Sequence, residues 1–191
     1  MSLPPIHRVV TGHDPYGKSV IASDGPLSTI AELRAVAGMI FHEVWETRAT
    51  PAPVDNCRDP TSGPMVHGAP KNGTRIRFVD LPPDTVYLAQ GQEKMKELFR
   101  EVNDDKGLTT KSDSPHPMMH RTESIDYGVV IEGEISVVLD DSETLLKPGS
   151  VVIQRGTNHA WANRSGKVCR MLFVQIDGSY EPGIAAAISR R

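Results

Sequence analysis

Cysteine, aromatic residues and long apolar runs are all scarce in this chain, and each scarcity excludes something. Only two cysteines occur in 191 residues, Cys57 in a proline-rich stretch and Cys169 in an apolar one, so no disulfide framework is expected to hold the fold. Phe, Trp and Tyr together make 5% of the sequence, too few for a base-stacking platform on single-stranded nucleic acid. Positive charge is not in excess either. The formal net charge is -3 and the pI about 6.2, which leaves no basic footprint for nucleic acid. No apolar run approaches the length of a membrane span, and Met1-Ser2-Leu3-Pro4-Pro5 does not open as a signal peptide does. The expected setting is the cytoplasm, without a membrane or nucleic-acid partner.

What the chain does have is turns. Sixteen glycines and fifteen prolines punctuate short segments, as in a β protein of about one domain. Arg8–Thr11 and Ser19–Ala22 read as two strands around an Asp14-Pro15-Tyr16-Gly17 turn. Thr29 to Ala37 reads as a short helical stretch and Met39 to Trp45 as a strand. Residues 47–73 form a loop dense in Pro, Gly, Asp and Asn, and loops of that length are often functional. Thr74 to Leu81 alternates polar and apolar side chains as a half-buried strand does. Met95, Leu98, Phe99 and Val102 fall at helical spacing, an amphipathic helix whose stripe is expected to be a packing face. After a polar linker, 103–117, at least five further strands follow up to Ile176, and residues 184–188 suggest a last helical turn or two. Many short strands with little helix indicate an all-β sandwich or barrel.

One motif misleads. Gly12-His13-Asp14-Pro15-Tyr16-Gly17-Lys18-Ser19 matches the phosphate-cradling loop G-x-x-x-x-G-K-[ST]. That loop works only when a helix follows the lysine and offers its N-terminal amides to the phosphates. Here Ser19-Val20-Ile21-Ala22 is β-prone and stops at Gly25-Pro26, so a hairpin turn is the expected structure.

The stretch from His120 to Asn163 carries the chemistry. Strand side chains alternate, so His120, Thr122 and Asp126 would share one face, and His159, Trp161 and Asn163 would share another. An antiparallel return through 134–153 would bring the two strands together. Two imidazoles and one carboxylate around a point, with open positions, are the ligand set of non-haem Fe(II) sites, and histidine-rich sets also suit zinc. Each residue also has a plainer role open to it: His120 as a hydrogen-bonded histidine, Asp126 as a turn cap, Trp161 as a wall residue, Arg155 as an exposed turn residue. Gly133 and Gly156 are expected to serve backbone turns. His7, His13, His42 and His67 are scattered and receive no role.

These residues resemble the two motifs of the cupin conserved barrel. In the first motif, His-x-His, then Glu, then Gly, the positions fall on His120, Thr122, Asp126 and Gly133. Thr122 thus stands where the family has a second histidine, and Asp126 where it has a glutamate. In the second motif Gly149, Gly156, His159 and Asn163 match, while Gln154 replaces a proline and the gap after Gly149 is one residue short. The resemblance implies an all-β, cupin-like jelly-roll barrel over 74–178. Residues 1–73 would pack on it as a β extension, 179–191 would form a tail, and the chain would form a homodimer through swapped or added edge strands. It further implies a small-molecule ligand and one divalent transition metal ion (Fe, Mn, Ni, Cu or Zn) held by His120, Asp126 and His159. His116 or Glu123 are the substitute ligands, and a metal-free site is the alternative. Thr122, Tyr127, Arg155 and Trp161 are the expected substrate-binding residues, with Arg155 a clamp for a substrate carboxylate. The expected activity is that of a metal-assisted enzyme, of oxygenase, decarboxylase or isomerase type, on a small acidic molecule. A non-catalytic binding protein is the competing class, and a structural or storage barrel a third.

Overall fold

The computed structural model describes residues 3–190. The chain begins with the hairpin β1 (His7–His13) and β2 (Ser19–Pro26), followed by β3 (Ile30–Glu32) and β4 (Ile40–Thr47). The long loop leads to β5 (Thr74–Leu81) and then to α1 (Gly91–Glu101). The second half holds β6 (Ser124–Glu132), β7 (Ile135–Val138), β8 (Glu143–Leu146), β9 (Val151–Arg155), β10 (Ala160–Ala162) and β11 (Cys169–Asp177), and ends in α2 (Pro182–Ile188). Among the described residues no helix is long and apolar enough to cross a membrane, and both cysteines are free.

The fold is all-β, as expected, but the described strands do not close into one ladder. A six-stranded sheet runs β3-β4-β5-β11-β6-β9, and a three-stranded sheet runs β10-β7-β8. The two face each other: Trp161 on β10 meets Phe173 on β11 edge to face, ring centroids 5.3 Å apart. β4 covers the edge of β5 from within the same chain. The β1–β2 hairpin is a separate two-stranded sheet. Asp14 Oδ1 accepts the Tyr16 and Lys18 amides in its turn, so the apparent phosphate loop is a hairpin turn.

Two local readings are corrected. The stretch 29–37 is not helical. Ile30 pairs with His42 in β3–β4, and Gly38 at φ 79° turns the chain back so that Leu33 N donates to Met39 O. A turn that returns within six residues leaves no length for a stable helix. β5 is the expected strand, but its charged side chains point inward. Arg75 and Arg77 are buried, whereas Ile76 and Phe78 are only half-buried. β4 makes this possible, because Glu46 pairs with Arg75 at 2.6 Å and Glu43 with Arg77 at 2.9 Å. Buried charge persists only when paired in this way.

The core lies between the sheets and is closed at one end by α1. Met95, Leu98 and Phe99 of α1 are buried, and pack with Met39, Val79, Leu81 and Met171 in one apolar cluster. Gly133 serves the β6–β7 turn. Its φ is 82°, and a Cβ there would lie 2.9 Å from the Val168 carbonyl oxygen, so no other residue fits without strain.

Candidate active site

Two histidines anchor the site through the backbone. His120 N donates to His159 O at 2.8 Å and His159 N donates to His120 O at 2.9 Å, an antiparallel pair that exchanges both main-chain bonds. The imidazole centroids lie 4.2 Å apart, their planes inclined by 48°. Nδ1 of His120 lies 2.9 Å from Met118 O, and Nδ1 of His159 lies 3.0 Å from Thr157 O. A carbonyl only accepts, so each Nδ1 carries the proton and each Nε2 is left as an acceptor. Burial holds both rings neutral. It pushes the His120 pKa well below the usual histidine value, helped by His159 and His67 nearby, and pushes His159 down to about 4.

Asp126 comes from the opposite sheet. It pairs with Gln154 of β9 and Gln175 of β11 and is buried, and its Oδ1 has no hydrogen-bond partner. Burial raises its pKa despite the favourable neighbours Ser124, His67, Gln175 and Arg77. A carboxyl in a cleft whose charged form burial disfavours is a candidate functional group.

These groups share one cavity of about 70 Å³, lined by His120, Thr122, Asp126, His159 and Trp161. Five of the seven expected metal- and substrate-binding residues are therefore brought together. Trp161 stands edge-on to His159 at 5.6 Å. The structure does not bring the other two to this cavity. Tyr127 points from the outer face of β6 and is 41% exposed, and Arg155 lies on a surface pocket with Gly156 and Tyr180. Asn163, of the second motif, braces a turn: its Nδ2 donates to Leu81 O and Lys167 O. Gly156 adopts φ 63° against the Tyr180 ring, whose hydroxyl donates to Gly156 O at 2.7 Å.

Neither substitute ligand reaches the cavity. His116 Nδ1 accepts the Met118 amide, and its Nε2 faces Asp84 at 3.4 Å. Glu123 accepts the Tyr180 amide at 2.7 Å. The residue that does reach it is His67, from the long loop, with its ring centroid 5.4 Å from that of His120. Its Nδ1 lies 2.7 Å from Asp104 Oδ2. Arg77, Gln175, the α1 residues Leu98 and Phe99, and Val102 just after the helix also line the cavity, so the stripe expected only to pack serves as wall too. The one sequence signal for His67 is the length of its loop.

The donor chemistry suits a transition metal in part. Histidines that bind metals tie back the other ring nitrogen in the way seen here. The arrangement does not gather a set: among the described residues no three His, Cys, Asp or Glu side chains are placed to hold an ion together. The side chains whose charge would act on Asp126 are His67 and Arg77 rather than the His120–His159 pair. As arranged, the residues do not fit a three-donor metal centre.

Comparison with known proteins agrees with this architecture. Residues 108–175 match the family model "Cupin domain". Phomopsin biosynthesis cluster protein D of Diaporthe leptostromiformis is 36% identical over 174 residues, covering 90% of this chain and 78% of that protein. The chain belongs to the cupin superfamily. Another relative, the cupin-domain-containing oxidoreductase fogC of Aspergillus ruber, is 31% identical over 181 residues, 89% of this chain and 71% of its own length. Among solved structures, a Cupin 2 conserved barrel domain protein from Salinispora arenicola aligns with 83% of this chain and 89% of its own, at 13% identity and a TM-score of 0.36. The cupin match begins at residue 108, so β4, β5, α1 and His67 lie outside it while contributing to the same cavity.

Proposed function

We propose that this cupin is an enzyme of small-molecule biosynthesis that binds a small, largely apolar molecule and acts on its polar end by proton transfer. The observation that carries the reading is the pair of neutral imidazoles, His120 and His159, sharing a largely apolar-walled cavity with a buried carboxyl that has one unpartnered oxygen. Relatives named for biosynthesis clusters and as oxidoreductases support an enzyme of this setting. Arg77 is the one arginine or lysine on the wall among the described residues, and it is already held by Glu43 and by two loop carbonyls. That favours a neutral carbonyl or hydroxyl compound over an acidic one.

In this reading an Nε2 lone pair accepts a proton from the substrate while the Asp126 carboxyl, whose protonated form burial favours, donates to the carbonyl oxygen. Because burial disfavours the imidazolium, the proton is returned readily to substrate or product. General acid–base catalysis of this kind contributes roughly 10²–10⁴-fold. Trp161, Phe173 and Leu98 exclude water and shape the apolar part.

The test is deuterium exchange, followed by proton NMR in D₂O, at carbons next to the carbonyl in a panel of neutral alkyl and aryl aldehydes and ketones. Exchange above the buffer rate is expected, falling about 100-fold or more in His159→Gln. A panel that neither exchanges nor broadens with the wild-type protein removes the reading, and binding without exchange selects a non-catalytic binder. The back-tied Nδ1 atoms favour a second reading, a metal-assisted oxidoreductase. Elemental analysis separates the two: stoichiometric Fe, Mn, Ni, Cu or Zn, lost in His120→Ala and His159→Ala, selects the second.

A further inference from the structure

Every residue lining the inner cavity is buried except His67 and Thr122. These two mark where the cavity meets solvent. Outside them lies a larger bay of about 520 Å³, lined by Thr122, by Val66 and Gly68 on either side of His67, and by its partner Asp104. The wall between the two spaces is therefore the strap Met65–Gly68 together with the His67–Asp104 pair.

The strap is held by polar contacts to neighbouring elements. Arg75 donates to Val66 O and to Gly68 O, the latter at 2.7 Å. Arg77 donates to His67 O at 3.0 Å and Val66 O at 2.6 Å. Asn103 Nδ2 donates to Met65 O at 2.6 Å, and His67 N donates to Val102 O at 2.8 Å. Val66 is itself 38% exposed, and Met65 is the strap's one apolar contact with the core. Segments held by few apolar contacts open at low free energy. The inner cavity of about 70 Å³ holds only a few waters, whereas organic ligands occupy pockets of roughly 300–1,000 Å³. A ligand that reaches His120 and His159 must displace something, and the strap is the wall that adjoins open space.

We propose that His67 is a third imidazole of the site, carried on a strap that opens between the outer bay and the inner cavity, with Asp104 as its positioning residue. Asp104 accepts from Nδ1 and so fixes which ring nitrogen of His67 is left free, as Met118 O and Thr157 O do for His120 and His159. Arg75 and Arg77 grip the strap carbonyls and return His67 to the same place after each opening. The inference rests on the cavity being the ligand site, but not on the proton-transfer chemistry.

The test is acylation of histidines by diethyl pyrocarbonate, which attacks an unprotonated ring nitrogen, with each site quantified by peptide mass spectrometry. Among the three cavity histidines of the wild-type protein His67 is expected to react first, behind only the exposed His7 and His13, with His120 and His159 far slower. Asp104→Ala and Asn103→Gly each remove one strap contact, and Gly keeps the φ of 53° at position 103. Each is expected to raise the His120 and His159 rates about tenfold, the worth of one lost hydrogen bond to a strap that opens locally. Nitrogen NMR of the imidazoles reads the positioning role. Asp104→Ala is expected to shift His67 toward the Nε2–H tautomer, and Asp104→Asn, whose amide oxygen still accepts, to retain Nδ1–H. Equal rates at all three histidines in the wild type, or unchanged His120 and His159 rates in both variants, overturn the gate. An unchanged tautomer in Asp104→Ala overturns the positioning role. A strap that opens while the carbonyl panel stays inert leaves this inference standing and removes only the proton-transfer reading.

Discussion

Asp80 and Asp126 are buried to the same degree, at 4% and 5% exposure, yet the protein treats them in opposite ways. Asp80 lies on the outer face of the six-stranded sheet and takes a two-pronged contact from Arg170, Nε to Oδ1 at 2.6 Å and Nη2 to Oδ2 at 2.7 Å. His42 Nε2 adds a third partner at 3.0 Å. Arg170 and His42 hold its carboxyl below the ordinary aspartate range against the cost of burial. Asp126, on the inner face, has an oxygen without a partner, and burial pushes its pKa up. Burial alone therefore does not mark a working carboxylate. An unmet bonding capacity facing a cavity does, because a group already paired has nothing left to offer a ligand.

The contrast can be broken at its structural end with the largest effect. Arg170→Met strands Asp80 in the sheet, and a loss of about 3–5 kcal/mol in urea unfolding is expected. A loss below about 1 kcal/mol would mean that Asp80 is less dependent on its partner than the geometry indicates.

Acid titration sharpens the cavity end. His159 titrates near 4 in the folded protein and near 6.5 when unfolded. Between those values the unfolded chain binds the extra proton, so stability falls as pH drops through the window. His159 contributes on the order of 3 kcal/mol of that loss by pH 4, and His159→Gln should lessen the slope over that range, leaving the part that His120 contributes. Asp80 acts in the same direction only lower, because its depressed pKa confines its loss to pH values below about 4. Chemical denaturation at a series of pH values, compared between wild type and His159→Gln, checks both.

The smallest effect is expected at Asp126 itself. Asp126→Asn removes a carboxylate whose ionisation burial opposes, and stability should change by about 1 kcal/mol or less. Ligand binding, read with the carbonyl panel, should fall in the same variant. A variant that unfolds would place Asp126 with Asp80 among the structural carboxylates.

Much of this was legible in the sequence, for reasons that individual residues make plain. Gly/Pro spacing and period-two alternation gave the strands of the second half, and the motif around Gly156 and His159 located half the cavity. His67 was not legible, because a lone histidine in a proline-rich loop has no periodicity, and its placement depends on Arg75 and Arg77, whose inward direction alternation alone does not reveal. Tyr127 illustrates the same limit in reverse. It follows Asp126 directly, and one residue along a strand is enough to send a side chain to the other face. Asp126 lies in the six-stranded sheet and His120 in an isolated bridge to His159 outside it, so their meeting is a property of how the chain folds back across the core, not of the even spacing that suggested it.

The mutual main-chain bonds between His120 and His159 have one further consequence. Their spacing is set by peptide groups that every residue except proline carries, not by the imidazoles. Replacing either side chain should leave its neighbour aimed as before. The two positions thus behave as sockets, whose occupants selection or a protein engineer can exchange to try new reactivities without rebuilding the frame around them.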